Sequence, residues 1–261
     1  MDEHLPFLRA ICANPADDLP RLVYADYLEE SGEPDAIARA HFIRAQIALT
    51  QLPPGTKEYR ATLAVSNRLH RMYSEDWLWD LPEELHTYGE PQWRRGFIEF
   101  ASMPWQIFVA GKLFETVPIT RVQIDAVRFD HGTTPASLDA LQHVRRITHL
   151  RLGPHLYDDG DTLLFLLLSA RNFAGLTHLD LSENDFDHLA SFILRFGEAV
   201  FATTLESLDL SDVEGVDDAI GNALATARGF DAISRIDLRK TELTSSTRAM
   251  LRRRFGDRVV F

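Results

Sequence analysis

The chain has 261 residues and is 45% apolar, enough for a sizeable core in one large domain or in two. Its formal charge is −12, from 27 basic and 39 acidic side chains, which argues against a general nucleic-acid binder because phosphate affinity rests on clustered Lys and Arg. One cysteine, Cys12, excludes an internal disulfide and fits a reducing compartment.

Residues 3–13 read as a first helix with Leu5, Leu8, Ile11 and Cys12 on one face, stopped at Asn14-Pro15. Asp17-Asp18-Leu19-Pro20 has the acidic residues and early proline of a helix start, and Gly32 ends that second helix. A third helix is expected from Pro34 to Thr50 and a fourth from Lys57 to Trp79. The acidity is concentrated here: residues 1–90 hold 16 acidic and 8 basic side chains.

The stretch from Ala13 through Asp17-Asp18-Leu19-Pro20-Arg21-Leu22-Val23-Tyr24-Ala25-Asp26-Tyr27-Leu28-Glu29-Glu30 to Gly32 resembles the bacterial repeat-companion domain, a short helical module at the N-terminus of leucine-rich-repeat proteins. Arg39 to Gln46 is similar to the family's second block, and Glu75 to Leu78 with Trp93 to Glu99 resembles its bridge into the repeats. The resemblance implies an architecture and, loosely, protein–protein interaction; it implies no catalytic activity.

From Pro91 onward the pattern alternates strand and helix. Gly96 to Phe100 reads as a strand, and Pro104-Trp105 opens a helix. Then Leu176-Thr-His-Leu179-Asp-Leu181-Ser-Glu-Asn184-Asp-Phe186 places apolar residues at positions 1, 4, 6 and 11 and an asparagine at 9, the signature of a leucine-rich repeat. The apolar 1-4-6 spacing starts at residues 119, 147, 176, 205 and 233, in steps of 28, 29, 29 and 28. Asparagine holds position 9 only at Asn184; the others carry Val127, His155, Val213 and Thr241. Helices are expected after each strand, at Thr134-Pro135, Asp161–Ala170, Asp187–Phe196, Asp217–Ala227 and Ser245–Phe255, and Arg258–Phe261 should cover the last strand.

The expected fold is therefore α/β: a leucine-rich-repeat solenoid of the ribonuclease-inhibitor-like kind, with a curved parallel sheet inside and helices outside. Residues 1–85 would form a small all-α module and N-terminal cap, and residues 86–261 an arc of about six strand–helix units. Tyr24, Tyr27, Trp77, Trp79, Trp93 and Trp105 are expected to pack the module against the first repeat.

Positions 3, 5 and 7 alternate with the buried 4 and 6, so they should line the concave face. Position 3 gives Arg121, His149, His178, Ser207 and Arg235; position 5 gives Gln123, Arg151, Asp180, Asp209 and Asp237; position 7 gives Asp125, Gly153, Ser182, Ser211 and Arg239. Three aspartates on adjacent strands about 4.8 Å apart repel one another by on the order of 1–3 kcal/mol per pair before screening. Either local pairing with Arg235, Arg239 and His178 offsets this, or a basic protein partner does.

The remaining chemistry has weak sequence support. His149, His178 and Asp180 could meet a metal, but the next strand supplies Ser207 instead of a further ligand. Asp158-Asp159-Gly160-Asp161 lacks the spacing of a calcium loop and suits helix capping. Cys12 reads as a buried structural thiol, and five arginines between 248 and 258 as a solvated helix face or an anion site. The expectation is a non-enzymatic interaction scaffold with no catalytic residues, cofactor or metal. The alternative is an adaptor that docks through the acidic Asp17, Asp18, Asp26, Glu29 and Glu30 of the helical module. The opening Met-Asp-Glu-His-Leu-Pro lacks a signal peptide's pattern, and Leu163–Leu168 falls far short of the roughly 20 apolar residues of a membrane span, so a cytoplasmic protein is expected.

Overall fold

A computed structural model of the chain describes residues 3–88, 91–125, 133–154 and 160–261. The chain is α/β and divides into two compact units, residues 1–102 with 111–120, and residues 103–110 with 121–261. Val127, His155, Asp158 and Asp159, singled out above, lie outside the described residues. Among the described residues, no helix is long and apolar enough to cross a membrane.

Unit 1 opens with four helices: α1 (Leu5–Ala13), α2 (Leu19–Glu30), α3 (Pro34–Gln51) and α4 (Lys57–Trp79). Their starts follow local chemistry. Prolines stand in the first turns of α1, α2 and α3, where no intrahelical N–H is needed, and Asp17 accepts from the Leu19 N–H at 2.9 Å. Thr56 caps α4 by accepting from the Tyr59 N–H. A one-turn α5 (Glu84–Thr87) leads to an antiparallel hairpin of β1 (Gln92–Arg94) and β2 (Phe97–Met103). Helix α3 packs between α2 and α4. Ile11, Tyr24, Ala25, Leu28, Ile43 and Phe97 form one apolar cluster, and Phe42, Leu69 and Trp77 another.

The hairpin is fixed by ions as well as by apolar burial. Arg95 and Gly96 both have positive φ, 50° and 82°, the geometry of a type I′ turn. Gly96 donates to Gln46 Oε1 at 2.8 Å, so close to α3 that a Cβ would lie 2.7 Å from Ile43 Cα. Arg21, fully buried, donates to Glu99 at 2.9 Å and to the Pro15 carbonyl at 2.9 Å. Arg95 joins the same carboxylate at 2.7 Å and reaches the carbonyls of Pro15 and Ala16 and the carboxylate of Asp18. Burial pushes Arg21 down to about 10, against the pull of Glu99, which leaves it charged at neutral pH. One carboxylate thus bridges two guanidiniums, and without it the fully buried Arg21 would have no ionic partner.

Of the six aromatics expected between module and repeats, Tyr24, Tyr27, Trp77 and Trp93 sit in unit 1. Tyr24 and Tyr27 pack with Phe7, Tyr24 also touches Phe97, and Trp77 and Trp93 pack with Phe42. Trp79 is 78% exposed, and Trp105 is buried in unit 2.

Unit 2 contains α6 (Trp105–Ala110) and six strands: β3 (Arg121–Ile124), β4 (His149–Leu152), β5 (His178–Asp180), β6 (Ser207–Asp209), β7 (Arg235–Asp237) and β8 (Val259–Val260). They pair in parallel and in chain order, each in register with the next. Helices α7 (Pro135–Asp139), α8 (Gly160–Ser169), α9 (Leu189–Arg195), α10 (Asp218–Thr226) and α11 (Ser245–Phe255) lie between successive strands, as parallel connections require. Positions 1, 4 and 6 of the 28–29-residue period are buried throughout: Ile119, Ile147, Leu176, Leu205 and Ile233; Val122, Leu150, Leu179, Leu208 and Ile236; Ile124, Leu152, Leu181, Leu210 and Leu238.

Polar ties reinforce these columns. Asn184 donates from its amide to Leu181 and Ser182 carbonyls and to Leu152 of the preceding strand. At the same position the Thr241 hydroxyl donates to the Leu238 carbonyl of its own period, and Val213 is simply buried. Asp161, in the first turn of α8, accepts from the Asp187 and His188 N–H groups that precede α9. Asp218, in the first turn of α10, likewise accepts from the Thr244 N–H that precedes α11. Asp161 therefore ties one strand–helix unit to the next instead of capping its own helix.

The C-terminal arginines are structural. Arg254 donates to the carbonyls of Leu224 and Ala227, and Arg258 to those of Phe255 and Ile233, while Arg248 and Arg252 lie over the Phe261 ring.

Gly96→Ala should cost at least about 2 kcal/mol in chemical denaturation, because positive φ and the Ile43 backbone both oppose it. Gly55→Ala, at φ +83° with open space around it, should cost only about 1 kcal/mol. His143 gives a pH signature. Burial holds its imidazole at about 4, against an ordinary 6.5, with its Nε2 2.9 Å from the Phe108 carbonyl. Its contribution is complete above 6.5 and is lost as pH falls from 6.5 toward 4, where the unfolded chain binds the proton first. Relative to His143→Gln, the wild type should lose stability across that window in urea titrations.

Candidate functional site

With positions 4 and 6 buried, the alternate side chains of β3–β7 share the other face of the sheet. The register aligns them as columns. Arg121, His149, His178, Ser207 and Arg235 are successive strand partners, and so are Gln123, Arg151, Asp180, Asp209 and Asp237.

In the first column the His149 and His178 rings stack at 4.0 Å with a 5° interplanar angle. Each ring's Nδ1 lies 2.9 Å from the hydroxyl of the threonine before it, Thr148 or Thr177. Burial pushes the His178 imidazole below its ordinary value, with Glu206 opposing and Arg121 assisting. Parallel stacking with Nδ1 turned back to the chain is not the convergent arrangement of metal ligands. Among the described residues, no group of three or more His, Cys, Asp or Glu side chains could hold a metal ion.

The second column shows how adjacent aspartates are tolerated. Asp180 accepts from the Ser182 N–H at 2.9 Å, Asp209 from the Ser211 N–H at 2.8 Å, and Asp237 from the Arg239 N–H at 3.2 Å. Each carboxylate closes the same Asx turn, two residues on, where the strand ends. The column is a device of chain geometry before it is anything else. Opposite charges then divide unevenly. Asp180 lies 3.4 Å from Arg151, which also reaches Glu183, and Asp237 takes Arg235 and Arg239 at 2.8 Å each. Burial pushes the Asp237 carboxyl up, but the hydrogen bonds from Arg239 and Arg235 outweigh it and hold the group below its ordinary value. Among the described residues Asp209 closes its turn without an ion pair, although its charge acts on Arg239.

At position 7, Gln123 donates to Asp125, and Gly153 is packed so tightly that a Cβ would lie 2.9 Å from Asp125 Oδ1. Three expected face residues are not presented: Gly153 is buried, Ser182 is 5% exposed and Asp237 1%. Ser207, Asp209 and Ser211 are half-buried, and Arg235 and Arg239 are exposed.

One further row, which the columns above do not include, carries charge. Glu183, Asp212 and Lys240, all at position 8, take left-handed backbone with φ of 59°, 57° and 57°, and all are exposed. Lys240 pairs with Asp212 across neighbouring strand ends at 2.6 Å. Carrying the column count to position 8 would have found these charges; nothing in non-glycine residues announces the positive φ. The arrangement is a hydrogen-bonding surface whose charges are largely compensated from within, with Asp209, Ser207 and Ser211 at its open centre.

Asp237→Asn should cost about 1–2 kcal/mol in thermal or urea unfolding, because it weakens two arginine bonds at a buried group. Asp209→Asn keeps the turn's acceptor and should cost less than about 1 kcal/mol. Compared with known proteins, the chain matches no family model and no curated protein.

Proposed function

We propose that the chain is a leucine-rich-repeat interaction protein with a repeat-companion module, a non-enzymatic scaffold of the bacterial cytoplasm that binds a protein partner on the concave face of its sheet. The observation that carries this reading is the register, which aligns the polar residues of five strands in columns over a continuous apolar layer. A surface preformed in this way loses little conformational entropy on docking. Because Asp180 and Asp237 already have arginine partners, a basic group on the partner would be received chiefly by Asp209, with Ser207 and Ser211 beside it.

A second reading is that the helical module docks the partner and the repeats support it. Val65, Met72 and Trp79 recur at seven-residue spacing along α4 and are 41%, 60% and 78% exposed. The acidic stretch first assigned to this role is largely engaged internally. Arg44 pairs with Asp26 and Glu29 at 2.6 and 2.8 Å, Arg95 takes Asp18, and Asp17 holds the start of α2.

The test uses the full chain, because cutting at residue 85 would strip Tyr24, Phe42 and Trp77 from Trp93 and Phe97 of the hairpin. A partner captured from the native host would be purified and its affinity measured by calorimetry for wild type, Asp209→Asn and Trp79→Ser. The first reading expects Asp209→Asn to weaken binding by about tenfold and Trp79→Ser to leave it unchanged. The reverse pattern favours the helical module, and indifference to both variants rejects both surfaces.

A further inference from the structure

Arg39, on α3, is a cation held among aromatic rings. Its guanidinium carbon lies 4.4 Å from the Trp93 ring centre, 4.7 Å from Trp77, 5.4 Å from Phe97 and 5.8 Å from Phe42. It makes no hydrogen bond or ion pair among the described residues, and its Nη1 is shielded from solvent and unbonded. Burial pushes the group down to about 9, with Tyr24 and Asp80 opposing, so it is charged at neutral pH. Ring faces stabilise such a cation electrostatically, but they do not accept its five in-plane N–H bonds. A desolvated donor left unused, as Nη1 is here, is costly unless an acceptor can reach it.

Space for that acceptor is present within unit 1. Arg39 lines a pocket of about 370 Å³, within the range of small-molecule sites. Leu8, Leu28, Leu81, Ile98 and Val117 give it an apolar wall. Tyr24, whose hydroxyl meets His4 at 3.0 Å, adds a second polar group, and Asp35 and Asp80 are exposed lining residues. We propose that this pocket binds a small monocarboxylate with an apolar body, its carboxylate paired with the Arg39 guanidinium. A planar carboxylate matches the guanidinium fork. The two lining aspartates oppose a dianion such as phosphate more strongly than a single charge, and the apolar wall suits a hydrocarbon body.

The experiment titrates the full chain with phenylacetate, octanoate, phenylacetamide and inorganic phosphate, followed by tryptophan fluorescence and calorimetry. At least one carboxylate should bind saturably, with phenylacetamide weaker than phenylacetate by roughly ten- to hundredfold and phosphate weaker still. Arg39→Met should lose carboxylate binding, and Asp80→Asn, which removes a nearby negative charge, should bind more tightly. Should Arg39→Met fail to fold, the acid–amide comparison and Asp80→Asn decide the matter alone. The proposal is overturned if neither carboxylate binds wild type or Asp80→Asn, if the amide binds as well as the acid, or if phosphate binds best.

Discussion

The constraint on which unit 2 rests is that three apolar side chains per period must land on the same three columns, strand after strand. A parallel strand shifted by one residue would turn its apolar set to the polar face and its polar set into the core. The near-constant step of 28–29 residues is the sequence expression of that requirement. Everything on the opposite face inherits its position from it, including the stacked imidazoles and the aspartate turns. The polar face is as ordered as the apolar layer beneath it because the two alternate along the same short strands.

Unit 1 is organised on a different principle. Its helices meet in an apolar core, but the hairpin is seated by Glu99 between Arg21 and Arg95 and by a glycine too close to α3 to carry a side chain. Buried ion groups add little net stability over apolar packing; what they penalise is any arrangement that leaves one of them alone. One turn conformation and one docking position satisfy all three groups, so the network acts mainly on specificity. Arg39 stands outside this network, held among rings with no hydrogen bond or ion pair among the described residues.

Much of this was legible in the residues. The four long helices begin and end close to where proline, threonine and glycine punctuation puts them, and the face columns are the register partners. Periodicity and capping are local, so a sequence carries them openly. What escaped depends on encounters between distant segments. Nothing near Arg21 announces Glu99, 78 residues away, and nothing near Asp161 announces the N–H groups of Asp187 and His188. The aspartate column shows its charge openly in the residues, but the reach of each carboxylate to the backbone N–H two residues on depends on where the strand ends. Strand β1 was missed because three residues are too few to display an alternation.

The forward reach of Asp161 and Asp218 bears on how the molecule comes apart. Strand hydrogen bonds join neighbouring periods at one edge, and these carboxylates join them at the other, at the starts of α9 and α11. A period bolted to its neighbour at both edges cannot peel away strand first or helix first. Fraying from the C-terminal end therefore advances in whole strand–helix steps. Its first barrier is the release of Arg254 and Arg258 from the carbonyls they hold.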